Sequence, residues 1–357
     1  MTLILSNKDV DDLLTMPECV AVLEEAYVEL AHGRGVARVR SDCITPTSRP
    51  DAHYSLKSMD GVIPKLGIGA VRIDSDIVTM PKVGNNLRRV KVPAAPNNRF
   101  VGLVLLFSTV NGEPLAIMPD GVMQRFRVGA TSGLGIKYLA RKDAKHLGIL
   151  GSGWQAGTQL MAACAVRDIA SIRCFSPNPA RRAAFSQEMS GRLGIEVIPV
   201  DQPEAAVEGM DIVLCATNSE DAIFFEHWIV PGVHIGSIKK PEVEPQAIRR
   251  ADRVFIHARD NSPILELSSE LPDSVAEAEG KRWPWAEQQE FKWPTLSELI
   301  AGTVKGRQSE QEATCFLNYL GLGYQFAAAG SVVYRKAKER GLGHELPTDW
   351  FTEDVHP

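Results

Sequence analysis

The stretch His146-Leu147-Gly148-Ile149-Leu150-Gly151-Ser152-Gly153-Trp154-Gln155-Ala156 constrains this chain more than any other. A short apolar run ends on the pattern G-x-G-x-x-A and passes directly into a helical one. In a strand–turn–helix of this kind Gly151 permits the tight turn. Gly153 lets a pyrophosphate approach the backbone, and Ala156 lets the helix pack close to the strand. The amides of Ser152, Trp154 and Gln155 then open a helix N-terminus, which favours phosphate charge. The following residues keep the same grammar. Ser171–Phe175 reads as a second strand, Pro179–Leu193 as a helix, and Ile195–Val200, Asp211–Ala216, His234–Ser237 and Arg253–Ile256 as further strands. Such alternation predicts a parallel sheet wound on both faces, a Rossmann domain that binds a nicotinamide dinucleotide. Ala216, Thr217, Asn218 and Ser237, at strand ends, should border the cofactor.

The end of the second strand bears on which dinucleotide is taken. NAD enzymes place an acid there to bond the ribose hydroxyls. This chain has Phe175-Ser176-Pro177-Asn178-Pro179-Ala180-Arg181-Arg182, with no carboxylate and two arginines. Ser176, Asn178 and Arg181 or Arg182 suit a 2′-phosphate, so NADP(H) is favoured over NAD(H). The bland alternative is that both arginines are a solvated helix start.

The N-terminal part is of another kind. Residues 8–32 carry apolar positions at helical spacing, closed by Gly33 and Gly35. Residues 36–120 hold short apolar runs between turn signals, among them a hairpin of Phe100–Ser108 and Pro114–Met118 around Asn111-Gly112. Residues 311–340 return to a long helical pattern broken by Gly321 and Gly323. The fold expected is α/β, with a Rossmann domain (126–311) inserted into an α+β substrate and dimerisation domain (1–125 and 312–357). The length of 357 residues fits two domains. No run approaches the ~18 apolar residues of a membrane span, and no signal peptide is expected. The six scattered cysteines lack a C-x-x-C pair, which argues against a metal site or disulfide framework and for the cytoplasm. A net charge of −5 gives no reason to expect nucleic acid.

Three motifs occur in a fixed order: Arg127-Val128-Gly129-Ala130-Thr131-Ser132, the glycine loop, and Gly306-Arg307-Gln308-Ser309. Together they resemble the ornithine cyclodeaminase/mu-crystallin family, over most of the chain. The resemblance implies a homodimer with a Rossmann domain inserted into the dimerising domain. It also implies hydride transfer to or from a carbon bearing nitrogen. By the same resemblance Arg127 grips the substrate carboxylate, a task that suits a guanidinium fork. Arg40 is a second substrate arginine, with Arg38 as a rival, and Thr131 and Ser132 contact cofactor phosphates.

The chain also departs from the family. Where cyclodeaminases carry a proton-transferring lysine, Gly69-Ala70-Val71-Arg72-Ile73 carries Arg72, which does not deprotonate at working pH. Lys57 is expected to supply the amine instead, or a water held nearby. Where those enzymes carry an aspartate for the distal amino group, this chain has Lys239-Lys240-Pro241-Glu242, and Gln325 stands where many relatives have an acid. Ornithine is therefore not the expected substrate. Arg40, Lys57, Arg72, Arg127 and Lys239 or Lys240 would form a basic pocket, favouring substrates with more than one acidic group. His234 is expected to be a buried strand residue and His53 a loop residue, and Trp283, Trp285 and Trp293 to be packing. The function expected is an NAD(P)H-dependent oxidoreductase acting on an amine or imine carbon of a small amino acid or 2-oxo acid derivative. The alternatives are a cyclodeaminase-type lyase and a non-catalytic, NADPH-binding, mu-crystallin-like protein.

Overall fold

In the computed structural model, residues 1–355 are described apart from 84, 85, 88, 220, 260–262 and 282–291. Trp283 and Trp285 lie outside the described residues, and Trp293 packs against a core cluster of the second sheet. Two large sheets organise the chain. The first runs Ile264–Leu267, Ser41–Pro46, Ala52–Ile63, Ile68–Thr79, Val101–Ser108, Pro114–Pro119, Thr2–Ile4 and His344–Leu346 in spatial order. Its central pairs are antiparallel, and the hairpin read from Asn111-Gly112 joins two of them.

Side chains alternate across this sheet because the strand period is two. On its inner face Met59, Ile63, Ile68, Ala70, Val104 and Leu106 form core with helices Met16–Ala31 and Tyr324–Arg340. Further along the same face the pattern turns polar, with Ser55 and Lys57 on one strand and Arg72, Asp74 and Asp76 on its neighbour, all buried.

The second sheet has seven parallel strands in the order Val197–Pro199, Ser171–Phe175, His146–Leu150, Ile212–Cys215, His234–Ser237, Thr314–Leu317 and Arg253–Ile256. The order reverses between His146–Leu150 and Ile212–Cys215, the switch point at which doubly wound sheets bind ligands. Helix Gly121–Leu139 leads into this sheet and packs on helices of both parts.

Three expectations are corrected. The helix expected over 8–32 is two helices, Asn7–Leu13 and Met16–Ala31, because Thr15 and Glu18 form a capping box that starts the second. Thr314–Leu317, expected at the start of a helix in the dimerisation domain, is a fully buried strand of the second sheet; the helix begins at Tyr324. Ile264–Leu267, inside the interval expected for the inserted domain, pairs in parallel with Ser41–Pro46 of the first sheet. Both shifts have one cause: a lone apolar run is placed by pairing partners distant in sequence. Among the described residues no helix is long and apolar enough to cross a membrane.

Candidate active site

The glycine turn closes the strand His146–Leu150 and starts the helix Trp154–Val166. Gly151 has φ +127°, and a Cβ there would lie 2.2 Å from the Ala216 carbonyl oxygen, so only glycine fits. Gly153 is the reverse case: a Cβ would meet nothing within 4 Å. It caps the helix without any side-chain hydrogen bond, so the first-turn amides keep their donors for an incoming group. The Gln155 side-chain oxygen is buried beside them without a hydrogen-bond partner among the described residues, and Ala156 is fully buried against the sheet. These features fit a dinucleotide diphosphate.

A cavity of about 1000 Å³ runs from Trp154, at the rim of this turn, to the polar part of the first sheet's inner face. Its floor is a chain of paired charges. Lys57 donates to Asp76. Lys91 sits 2.9 Å from Asp76 and 3.0 Å from Asp74. Arg72 holds Asp74 at 2.7 Å and Asp120 at 2.6 Å. Burial, followed by the charges of Arg89 and Lys91, lowers the Lys57 amine to about 8 although Asp76 opposes the shift. Burial raises the Asp120 carboxyl against the pull of Arg72. For Asp74 burial is outweighed by Arg72, Lys91 and Lys57, and the carboxyl is lowered.

Arg127, on helix Gly121–Leu139, lines the same cavity and differs from every cation of the floor. It is 6% exposed and is bound to neutral groups: Gln124 accepts from its Nη2 at 2.6 Å and its Nε at 3.1 Å, and Gln325 accepts from its Nη1 at 3.0 Å. Among the described residues it forms no ion pair. Burial, then the charge of Arg72, weakens its hold on the proton. Behind it Gln325 donates to Thr131 and Tyr27, and Tyr27 meets His257 Nε2 at 2.6 Å, so the amide that fixes Arg127 is itself fixed. Gly321 lets the chain pass close by, since a Cβ there would meet Arg127 Nη1 at 2.2 Å. A buried guanidinium with no acid is a receptor for an anion.

The residues named from the sequence therefore divide. Arg40, Lys57, Arg72, Arg127 and Trp154 line the cavity together. Arg40 already holds Asp42 through two bonds of 2.7 Å. Lys240 follows the strand His234–Ser237 and is not among the cavity's lining residues, and the Lys239 amine meets the carbonyls of Asn218 and Ser219. Thr131 and Ser132, expected at the phosphates, are buried under Arg127 and Asn318 instead. Ala216 and Thr217, expected to border the cofactor, lie against Gly151. Ser237 is buried and donates to Glu242. Asn178 caps the helix Pro179–Leu193, Arg182 is buried on Asp201 and the Ser176 carbonyl, and Arg181 is exposed. His53, expected in a loop, lies on the strand Ala52–Ile63 and is buried against Glu279, and burial lowers His234 to about 3, which fits a neutral packing role for His234.

The basic pocket expected from composition is thus mostly neutralised. Asp74, Asp76 and Asp120 went unrecognised in the sequence, although the i+2 and i+4 spacing of Asp74 and Asp76 from Arg72 on one strand already puts those two on its face. Glu242 was missed as well. It is fully buried and accepts from the Thr217 amide at 2.5 Å, the Thr217 hydroxyl at 2.9 Å and Ser237 at 2.8 Å, clamping two strand ends at the switch point. Its own segment supplies Ser237, Ile238 and Lys239 as donors, but Thr217, which makes it a clamp, comes from another loop.

Sheet order, glycine turn and adjoining cavity define a dinucleotide-dependent oxidoreductase with a separate substrate floor. The chain belongs to the ornithine cyclodeaminase/mu-crystallin family, whose family model matches residues 1–341. It is 27% identical over 349 residues to a Delta(1)-pyrroline-2-carboxylate reductase of Bacillus cereus, covering 96% of this chain and 99% of the relative. Among solved structures it is similar to the Thermococcus litoralis Delta(1)-pyrroline-2-carboxylate reductase in complex with NADH and L-proline. That match has a TM-score of 0.76 and 28% identity, over 97% of this chain and 100% of the other. An archaeal alanine dehydrogenase dimer with bound NAD has TM-score 0.76 and 25% identity, over 97% and 99%.

Proposed function

We propose that this protein is an NAD(P)H-dependent oxidoreductase that reduces the C=N bond of small imines derived from 2-oxo acids, and oxidises the matching amines in reverse. The observation that carries this reading is Arg127, a buried guanidinium held by two amides and, among the described residues, left without an acid. A substrate carboxylate supplies the missing charge, and the fixed fork sets the orientation of the neighbouring carbon.

The cofactor's diphosphate is held by the turn Gly151, Ser152 and Gly153 and the amides of Trp154 and Gln155, with Ala156 keeping the helix close. When bound, the nicotinamide supplies or accepts the hydride. Lys57 moves the proton: below about pH 8 its amine is charged and can donate to the imine nitrogen, while Asp76 orients it. Arg72 stays charged and holds Asp74 and Asp120 in place. The preference is for NADP(H): no acid ends the second strand, and Arg181 stands exposed there without a side-chain partner among the described residues. The six cysteines are free, as suits a reducing, cytoplasmic compartment.

The working unit is a homodimer. The outer face of the first sheet presents Leu56, Val101 and Leu103 at 40%, 40% and 37% exposure, apolar side chains that a second copy of the chain would cover. Light scattering should return twice the chain mass.

The functional test follows absorbance at the nicotinamide band with 2-oxo acids plus ammonia or methylamine, and with cyclic imines. Net NADPH oxidation is expected. Ammonia release from a diamino acid without net NADPH use points to a cyclodeaminase instead, and tight NADPH binding with no turnover of any substrate points to a binding protein.

A further inference from the structure

We infer that Tyr27 and His257 are positioning residues for the substrate: through Gln325 they hold the Arg127 fork in the orientation that receives the carboxylate. The inference rests on the reading of Arg127 as the substrate anchor.

The hydrogens of this relay are placed by what each end is able to do. At one end the Leu320 carbonyl can only accept, and His257 Nδ1 lies against it, so Nδ1 carries the ring hydrogen. Burial lowers the ring to about 3, so it is neutral and Nε2 is an acceptor. Burial raises the Tyr27 hydroxyl to about 12, so it keeps its hydrogen. That hydrogen goes to Nε2 at 2.6 Å rather than to Thr131 at 3.2 Å, because the ring nitrogen is the nearer acceptor. The Tyr27 oxygen then accepts from Gln325 Nε2 at 3.1 Å. At the other end Arg127 Nη1 and the Leu322 amide can only donate, so Gln325 Oε1 faces both, at 3.0 Å and 2.9 Å. The two readings meet without conflict in one amide. Its second hydrogen goes to Thr131 at 2.6 Å, and Thr131 passes its own to the Arg127 carbonyl at 2.8 Å.

Tyr27, Thr131 and Gln325 are fully buried and His257 is 2% exposed, so no water stands ready to replace a lost partner. The members come from separate elements. Tyr27 is on helix Met16–Ala31 and Gln325 on helix Tyr324–Arg340, while His257 directly follows the strand Arg253–Ile256 of the parallel sheet. Their shared output is Arg127 and the stretch Leu320–Gly321, all of which line the cavity. A buried polar network with every hydrogen placed fixes one arrangement. Without the Tyr27 hydroxyl the Gln325 amide loses an acceptor, and its hold on Arg127 loosens.

The test measures kcat and KM at saturating NADPH, with the imine carboxylate turned over best among 2-oxo acids plus methylamine. Tyr27→Phe should raise KM about 10-fold, the size of one buried hydrogen bond, and leave NADPH affinity unchanged. Gln325→Met removes the amide through which Tyr27 acts. Adding Tyr27→Phe to it should change KM by less than about 2-fold, whereas a merely structural role would cost the same in both backgrounds. His257→Leu should behave like Tyr27→Phe. His257→Gln, whose amide offers a donor and an acceptor, should keep KM closer to the wild type. A Tyr27→Phe enzyme with the wild-type KM, additive losses in the Gln325→Met background, or weakened NADPH binding overturns the inference while imine reduction stands. Should these variants fail to fold, a neutron structure of the wild type decides: hydrogen on His257 Nδ1 is expected, and hydrogen on Nε2 overturns the relay. If no imine carboxylate is turned over, or Arg127→Met keeps the wild-type KM, the parent reading and this one fall together.

Discussion

The two sides of the active-site cleft are built on opposite principles. On the side of the parallel sheet recognition is made of backbone: a glycine turn, uncapped amides at a helix start and a carbonyl at Ala216 that excludes any Cβ at Gly151. No formal charge is needed, because the amides are aligned by the helix itself. On the side of the antiparallel sheet recognition is made of charged side chains, most of them buried and nearly all paired within the protein. The turn can accept any dinucleotide and says nothing about the second substrate. The floor says a great deal, because its ion pairs leave only particular positions open. Breaking the floor should therefore abolish turnover and spare cofactor binding, and breaking the turn should do the reverse.

The sharpest break is Arg127→Met. It removes the buried charge without a protein acid, and kcat/KM should fall about 1000-fold through lost anchoring and orientation. Cofactor affinity, read by fluorescence titration with NADPH, should stay put. A parallel loss of NADPH binding would mean that the two sides are not separable. Lys57→Met comes next. Removing a positioned proton donor should lower kcat about 100-fold. In the wild type, reduction should decline as pH rises through about 8, because burial lowers the amine below the ordinary lysine value and the charged form is the donor. The groups facing this amine are Asp42 on one neighbouring strand, Asp74 and Asp76 on the other, and Arg89 and Lys91 across from it. A pH–rate profile in which the alkaline limb survives in Lys57→Met would assign the proton to another group.

Gly151→Ala is the converse break. The added methyl meets the Ala216 carbonyl in a backbone region that glycine favours, so the turn must shift. NADPH affinity should drop about 50-fold, a loss of the size carried by a few backbone hydrogen bonds. Arg127 is untouched by this change. At saturating NADPH the KM for the imine should therefore hold, and a rise in that KM would tie the floor to the turn.

The same contrast decides what the sequence could reveal. Gly151, Gly153 and Ala156 act through spacing along one segment, so their role is legible in eleven consecutive residues. The strands Ser171–Phe175 and His234–Ser237 were legible for the same reason. The floor acts through pairing between segments. Lys57 stood out as an amine, but its partner Asp76 lies on the next strand, and nothing in either segment alone says that the two meet. Thr131 was misplaced because family order put it beside the phosphates, whereas helix Gly121–Leu139 turns it inward beneath Arg127. Thr314–Leu317 was read as helix because an apolar run of that length is ambiguous until its neighbours, here His234–Ser237 and Arg253–Ile256, are known.

A subtler change tests whether Arg127 works because it is unneutralised. Gln325→Glu puts a carboxylate where an amide oxygen now accepts from Arg127 Nη1 at 3.0 Å. Substrate would then compete with an internal acid, so its KM should rise about 10-fold, with a smaller effect on kcat. An unchanged KM would mean that Arg127 binds its ligand by shape and hydrogen bonds rather than by charge.

The smallest effect belongs to the far end of the cofactor, where the two arginines after the second strand part company. Arg182 is buried, donates to the Ser176 carbonyl at 2.8 Å and pairs with Asp201, so its charge has a structural use. Arg181 is exposed, and among the described residues its side chain has no partner while its backbone amide donates to Asn178. On the proposed preference for NADP(H), a 2′-phosphate would be met by Arg181. Arg181→Ala should raise the KM for NADPH about 5-fold and leave that for NADH alone, in keeping with one solvent-exposed charge contact. Added salt should shrink the wild-type preference towards that of the variant, since exposed charges are screened. If Arg181→Ala shifts both cofactors equally, the arginine supports the helix start and the choice between NADP and NAD is made elsewhere on the turn.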